Sequence, residues 1–168
     1  MNPAQVIPAL AGSERDSDGR LVKLIFDSTP PLKAPDVNPW LVAVDRSDNA
    51  LRAIAHAAGQ AAEMNACALH LVHVQPWLSK EAAEAELGHR ALEATAQARA
   101  LLDTKGLPWR LHVAMGDPAE RILEQAVRLH AIGIVMGNRS LNTVESMLLV
   151  SVAHKVMHLA RLPVMVVP

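Results

Sequence analysis

AIGIVMGNRSLNTVESMLLVSVAHKVMHLARLPVMVVP, residues 131–168, is the stretch that decides the fold. Ile134, Val135 and Met136 form a short apolar run that ends at Gly137, where no side chain obstructs a tight turn. A polar loop follows, and then a predicted helix over 148–160 with Leu149, Val152, Ala153, Val156 and Met157 on its inner face. The run from Pro163 to Pro168 reads as a closing strand. In an open α/β sheet, a strand that ends in glycine and feeds a helix is the usual ligand corner, since the crevice lies outside the strands' carboxyl ends.

The same grammar repeats upstream. Trp40–Val44 is a continuous apolar run ending at Asp45, as expected of a strand buried on both faces. Ser47 or Asp48 can cap a helix whose predicted inner stripe is Leu51, Ile54, Ala55, Ala58 and Ala62. Residues 67–74, CALHLVHV, form the second strand. An alanine-rich helix over about 80–105 follows, with Leu87, Ala91, Ala94, Ala98, Leu101 and Leu102 inward and Gly106 just past its end. Leu107–Ala114 reads as a third strand, and Pro108 suggests that one side of it is an edge. Asp117-Pro118-Ala119-Glu120 is a helix start with a cap, a proline at the first position and a returning glutamate. Strand and helix alternating in this way predict a parallel sheet with helices on both faces.

Residues 1–38 differ in character and read as an amino-terminal extension to a domain spanning 39–168. Proline and a charged AGSERDSDGR segment imply irregular backbone before about residue 20. The LVKLIFDST stretch over 21–29 is strand-like and is expected to pack on the domain or on a dimer partner.

Composition narrows the function. A net charge of −1 and the lack of a basic run leave no field for nucleic acid, so no such partner is expected. No run approaches the ~18 apolar residues of a spanning helix, and a soluble cytoplasmic chain without a membrane partner is the expectation. Cys67 is the only cysteine, which excludes an intrachain disulfide.

Asp45 and the Gly137 loop open on the same sheet edge if their strands are neighbours, with Asn138, Arg139, Ser140, Asn142, Thr143 and Ser151 supplying donors. A carboxylate there suits ribose hydroxyls or an amine and repels phosphate; alternatively, Asp45 caps its own loop. His154 and His158 lie four apart on one predicted helix, but no third ligand can be assigned, so no metal is expected. His70 and His73 have opposite strand parity and face different sides. No nucleophile and base are brought together by any motif, so no catalytic residue is assigned and a small hydrolase or transferase is only a third reading.

Taken together, WLVAVDRSDNA (40–50), LHLVHVQP (69–76), GDPAERIL (116–123), IVMGNRS (134–140) and SVAHKVMHLARLPVMVV (151–167) resemble the universal stress protein family. The resemblance implies an α/β, Rossmann-like fold: an open five-stranded parallel sheet ordered 3-2-1-4-5 with helices on both faces. It also implies a homodimer paired through the last strand, 164–167, and a regulatory protein partner. One branch of that family binds ATP through the aspartate ending strand one and a G-x-x-G-(nine residues)-G-S/T loop. Asp45, Val74, Gly137 and Ser151 match that pattern, so with Ser140 they are the implied nucleotide-binding positions. Ser140 replaces the second glycine and Val150 the third, and a branched residue there stiffens the backbone where phosphates should pass. The resulting expectation is a non-catalytic stress-response dimer with weak or absent ATP binding and no cofactor. The alternative is an ATP- or AMP-binding switch built on the Asp45/Gly137 corner.

Overall fold

The computed structural model describes residues 7–33, 37–64, 67–138 and 152–168. Among these residues seven strands and four helices follow in order: β1 (Ala9–Arg15), β2 (Leu21–Asp27), β3 (Trp40–Ala43), α1 (Asp48–Glu63), β4 (Leu69–Gln75), α2 (Lys80–Thr104), β5 (Trp109–Met115), α3 (Pro118–Leu129), β6 (Gly133–Gly137), α4 (Val152–Leu159) and β7 (Val164–Val167). The sheet order is β1-β2-β5-β4-β3-β6-β7.

This corrects the expected five-stranded, all-parallel sheet. The strands β3 to β7 do run parallel to one another. Two more strands extend the sheet antiparallel beyond β5, with Leu24 opposite Val113 and Leu10 opposite Phe26. The sheet is therefore seven-stranded and mixed. A hairpin can reverse direction in a tight turn, whereas a parallel neighbour needs a long crossover, so an antiparallel pair is the simplest way to add strands. Here Asp16 makes the turn, its carboxylate accepting from the Asp18 and Arg20 amides.

The edge expected from Pro108 is also corrected, because β5 lies between β4 and β2. Pro108 falls just before the ladder, so its missing N–H costs the sheet nothing. The first strand residue, Trp109, donates its N–H to Ser28 Oγ at 2.9 Å.

The core fills both faces. On one side Ile54, Leu71, Leu87, Trp109 and Leu111 pack with the inner faces of α1 and α2. On the other, Leu41, Val72, Ile122, Ile134 and Val156 pack beneath α3 and α4. Leu41 and Val42 are consecutive and both 0% exposed, so β3 is covered above and below. Each such aliphatic side chain contributes about 1.5–3 kcal/mol on burial.

The helix faces depart from expectation in two places. On α1 the buried stripe is Ala50, Ala53, Ile54, Ala57, Ala58 and Ala61, while Ala55 and Ala62 face solvent. On α4, Ala153 and Val156 are buried but Met157 is 49% exposed; Leu149 lies outside the described residues.

Candidate functional site

β3 sits between β4 and β6, so the chain leaves β3 toward one side of the sheet and later returns on the other. The crevice at the carboxyl ends of β3 and β6 is the switch point of the topology, where no helix crosses between the strands. A cavity of about 150 Å³ lies there, and its walls include Asp45, Ser47, His73, Val74, Ile122 and Gly137.

The corner is built from short local interactions. Val44 continues β3 by donating to the Val72 carbonyl at 2.9 Å. Asp45 then turns the chain: its Oδ1 accepts from the Ser47 amide at 2.8 Å and from the Ser47 hydroxyl. Ser47 Oγ also accepts from the Ala50 amide at 3.1 Å, capping α1. One serine thus ties the carboxylate to the first turn of a helix, whose free amides carry partial positive charge.

Gly137 approaches that same turn. A Cβ added at Gly137 would stand 2.4 Å from the Asn49 carbonyl oxygen and 2.5 Å from its carbon. Only hydrogen fits, so glycine is required here for the packing of β6 against α1. Asn49 also donates from its side chain to the Asn138 carbonyl, and Asn138 donates to the Val167 carbonyl at 2.9 Å. The ends of β3, β6 and β7 are thereby joined through one helix turn.

His73 closes the inner wall. It is 8% exposed, and its Nδ1 lies 2.9 Å from the Val44 carbonyl oxygen. Burial pushes its pKa below the ordinary histidine value; the Val44 bond and the Asp45 charge oppose that shift, and Arg46 adds to it. On the far wall, Val74, Pro118, Ile122 and Ala153 supply apolar surface.

Asp45, Val74 and Gly137 therefore line one cavity, while Ser140 and Ser151 lie outside the described residues, as do Arg139, Asn142, Thr143 and Val150. Ser47 and His73 also belong to the site. Ser47 reads as a helix cap, and its bond to Asp45 is the self-capped loop offered as the alternative reading of Asp45; His73 gave only its strand parity. His154 and His158 are exposed on α4. Among the described residues, no cluster of three or more histidine, cysteine or acidic side chains is arranged to hold a metal ion. No described helix is long and apolar enough to cross a membrane.

The profile of the universal stress protein family matches residues 38–168. The stress response protein NhaX of Bacillus subtilis is 35% identical over 46% of this chain, a match spanning 47% of that protein's length. Universal stress protein YxiE of the same organism is 30% identical over 77% of this chain and 98% of its own. Among solved structures, a universal stress protein in complex with cAMP superposes with a TM-score of 0.66 at 25% identity, covering 78% of this chain and 97% of that one. The Archaeoglobus fulgidus universal stress protein in complex with dAMP has a TM-score of 0.63 at 27% identity, covering 79% and 98%. On this sequence match across most of its length, the chain belongs to the universal stress protein family.

Proposed function

We propose that the chain is a stress-response regulator whose Asp45/Gly137 corner takes an adenine nucleoside monophosphate, acting by binding and not by turnover. The observation that carries this reading is a carboxylate and an apolar wall facing one cavity at the switch point. Adenine is flat and largely apolar on its faces, which suits Val74 and Ile122. A hydroxyl of the ribose donates to Asp45, and the phosphate leaves toward Gly137, away from that negative charge. The solved relatives named above hold cAMP and dAMP. These two ligands share adenine, one phosphate and a single free sugar hydroxyl, so one carboxylate is enough to read the sugar. Their chemistry favours the nucleotide-switch reading over the impaired binder. The obstruction attributed to Ser140 and Val150 concerns a triphosphate, and its residues lie outside those described.

Isothermal titration of the full chain with AMP, cyclic AMP and ATP tests this. Monophosphates are expected to bind more tightly than ATP, and Asp45→Asn to weaken them roughly tenfold or more, the scale of one hydrogen bond to a charged group. Equal affinity in the Asn variant removes Asp45 from the site. Gly137 is a poor probe, because any side chain there displaces α1 directly.

The homodimer belongs to the same reading. β7 ends the sheet and pairs only with β6 among the described strands. Pro163 accepts from the Ile134 amide of β6 and Val167 from the Asn138 amide just past its end, so by strand alternation Val164 and Val166 direct their backbone groups to the open edge. An apolar edge strand of this kind calls for cover, which a second copy's β7 provides.

A further inference from the structure

The corner contains a buried group for which the nucleotide reading has no use. The His73 ring bonds backward, into the chain that carries Asp45. A carbonyl oxygen only accepts, so the nitrogen 2.9 Å from Val44 O must bear the hydrogen. In the neutral ring Nε2 then holds the lone pair. The Val44 carbonyl belongs to the peptide plane that also contains the Asp45 nitrogen, so fixing its direction fixes how Asp45 leaves the strand. From the other side, Ser47 holds the carboxylate itself. Asp45 is thus braced behind by His73 and in front by Ser47.

We infer that His73 is the positioning residue of this corner, a proton-sensitive brace that keeps Asp45 available to a ligand hydroxyl only while its ring is neutral. The inference rests on the nucleotide reading of the pocket. A second proton would put a full charge in the cavity wall beside Asp45. The imidazolium would then draw on the Asp45 charge and compete with the ligand hydroxyl for its oxygens. Among the described residues, the other charged group acting on His73 is Arg46 on the same loop, itself paired with Glu93 of α2 at 3.0 Å. Burial and Arg46 together favour the neutral ring. The site is therefore open at neutral pH and closes on acidification.

The test uses the full chain and cyclic AMP, whose single phosphodiester charge does not change across the range used. Wild type, His73→Asn and His73→Leu are titrated at pH 7.5 and pH 5.0, with imidazole ¹⁵N spectra of the wild type alongside. Asparagine keeps a donor near the Nδ1 position but cannot be protonated; leucine removes the donor.

Wild-type affinity is expected to fall roughly three- to tenfold on acidification, the scale of up to one pKa unit of coupling. The leucine variant should be roughly tenfold weaker than wild type at pH 7.5, as for one lost hydrogen bond. Asparagine should recover most of that loss and bind equally at both pH values. A pH slope in the asparagine variant equal to that of wild type overturns the inference, and this arm stands even if the leucine variant fails to fold.

If wild type binds no cyclic AMP at pH 7.5, the nucleotide reading fails and the brace is judged separately. It then requires a protonated Nδ1 on His73 and a moved Asp45 carboxyl ¹³C resonance in the His73→Asn or His73→Leu variant. A bare Nδ1, or an Asp45 resonance unchanged by both substitutions, overturns the brace.

Discussion

The two sides of the sheet use the same carboxyl edge in opposite ways. On the hairpin side, the β1–β2 turn reaches this edge and spends its charges on itself and its neighbours. Arg20 binds Asp16, donates to the Leu78 carbonyl at 3.2 Å and lies 5.0 Å over the Trp77 ring. Arg15 makes two bonds to Glu84 at 2.6 and 2.8 Å. Below the turn, Leu21, Leu24 and Phe26 are buried in the core beside Leu87. On the β3/β6 side the edge encloses a cavity, and the buried histidine there bonds to main chain and is pushed toward its neutral form by burial. Antiparallel extension closes a surface, whereas diverging parallel neighbours leave a crevice. The hairpin lies ahead of the family match, which begins at residue 38; on the reading proposed above, it serves stability and the corner serves recognition.

That division can be broken from either side. The largest effect is expected from Phe26→Ala, which empties a site against α2 and should cost about 3–5 kcal/mol in urea unfolding. Cyclic AMP affinity of the folded variant should stay unchanged; a parallel loss would mean that the hairpin shapes the site.

Next comes acid. His70 and His112 are buried side by side, with His70 Nδ1 2.8 Å from His112 Nε2. Burial, followed by the neighbouring His70 and then Arg110, pushes His112 down to about 3. The unfolded chain binds that proton near the ordinary value of ~6.5, so it holds more protons than the fold between those two values. Stability therefore rises with pH through that window, and falls by on the order of 3 kcal/mol between pH 7 and pH 4. Because His112 sits opposite Ile25 of β2, His112→Leu should flatten this acid limb, and an unchanged limb would place the sensitivity elsewhere. Gly137→Ala should cost about 1–3 kcal/mol, because Asn49 must move to admit the methyl. In contrast to Phe26→Ala, it should weaken nucleotide binding as well.

The smallest effect on stability is expected from Val166→Pro, which removes an N–H from the open edge of β7 without touching the ladder to β6. Light scattering after gel filtration should report a monomer with an unfolding midpoint close to that of the wild-type subunit. A variant that remains dimeric would place the contact elsewhere.

What was legible in the sequence follows from this physics. Apolar runs buried on both faces announce themselves, so β3, β4 and β6 are evident; Asp45, Val74 and Gly137, singled out by the motif they resemble, line one cavity. β1, by contrast, reads ALAGSER and is exposed at most positions, so it has no alternation to betray it; its register comes from pairing with β2. Pro108 misled because a proline one residue outside a ladder looks the same in sequence as one inside it. On α1, alanines occupy both faces, and hydrophobic periodicity cannot rank one alanine stripe above another; the true face was set by packing against β6. Gly137 was singled out as a place for phosphate to approach, and the structure supplies another requirement, the Asn49 backbone. The role of His73 depends on a side chain bonding to main chain on another strand, which no local pattern encodes.

A crystal structure of the full chain grown with AMP tests the central reading most directly. The account predicts adenine against Val74 and Ile122 and a ribose hydroxyl within hydrogen-bond distance of the Asp45 carboxylate, with His73 Nδ1 still on the Val44 carbonyl. AMP bound elsewhere, or a corner left empty at a concentration that saturates the protein in solution, would contradict it.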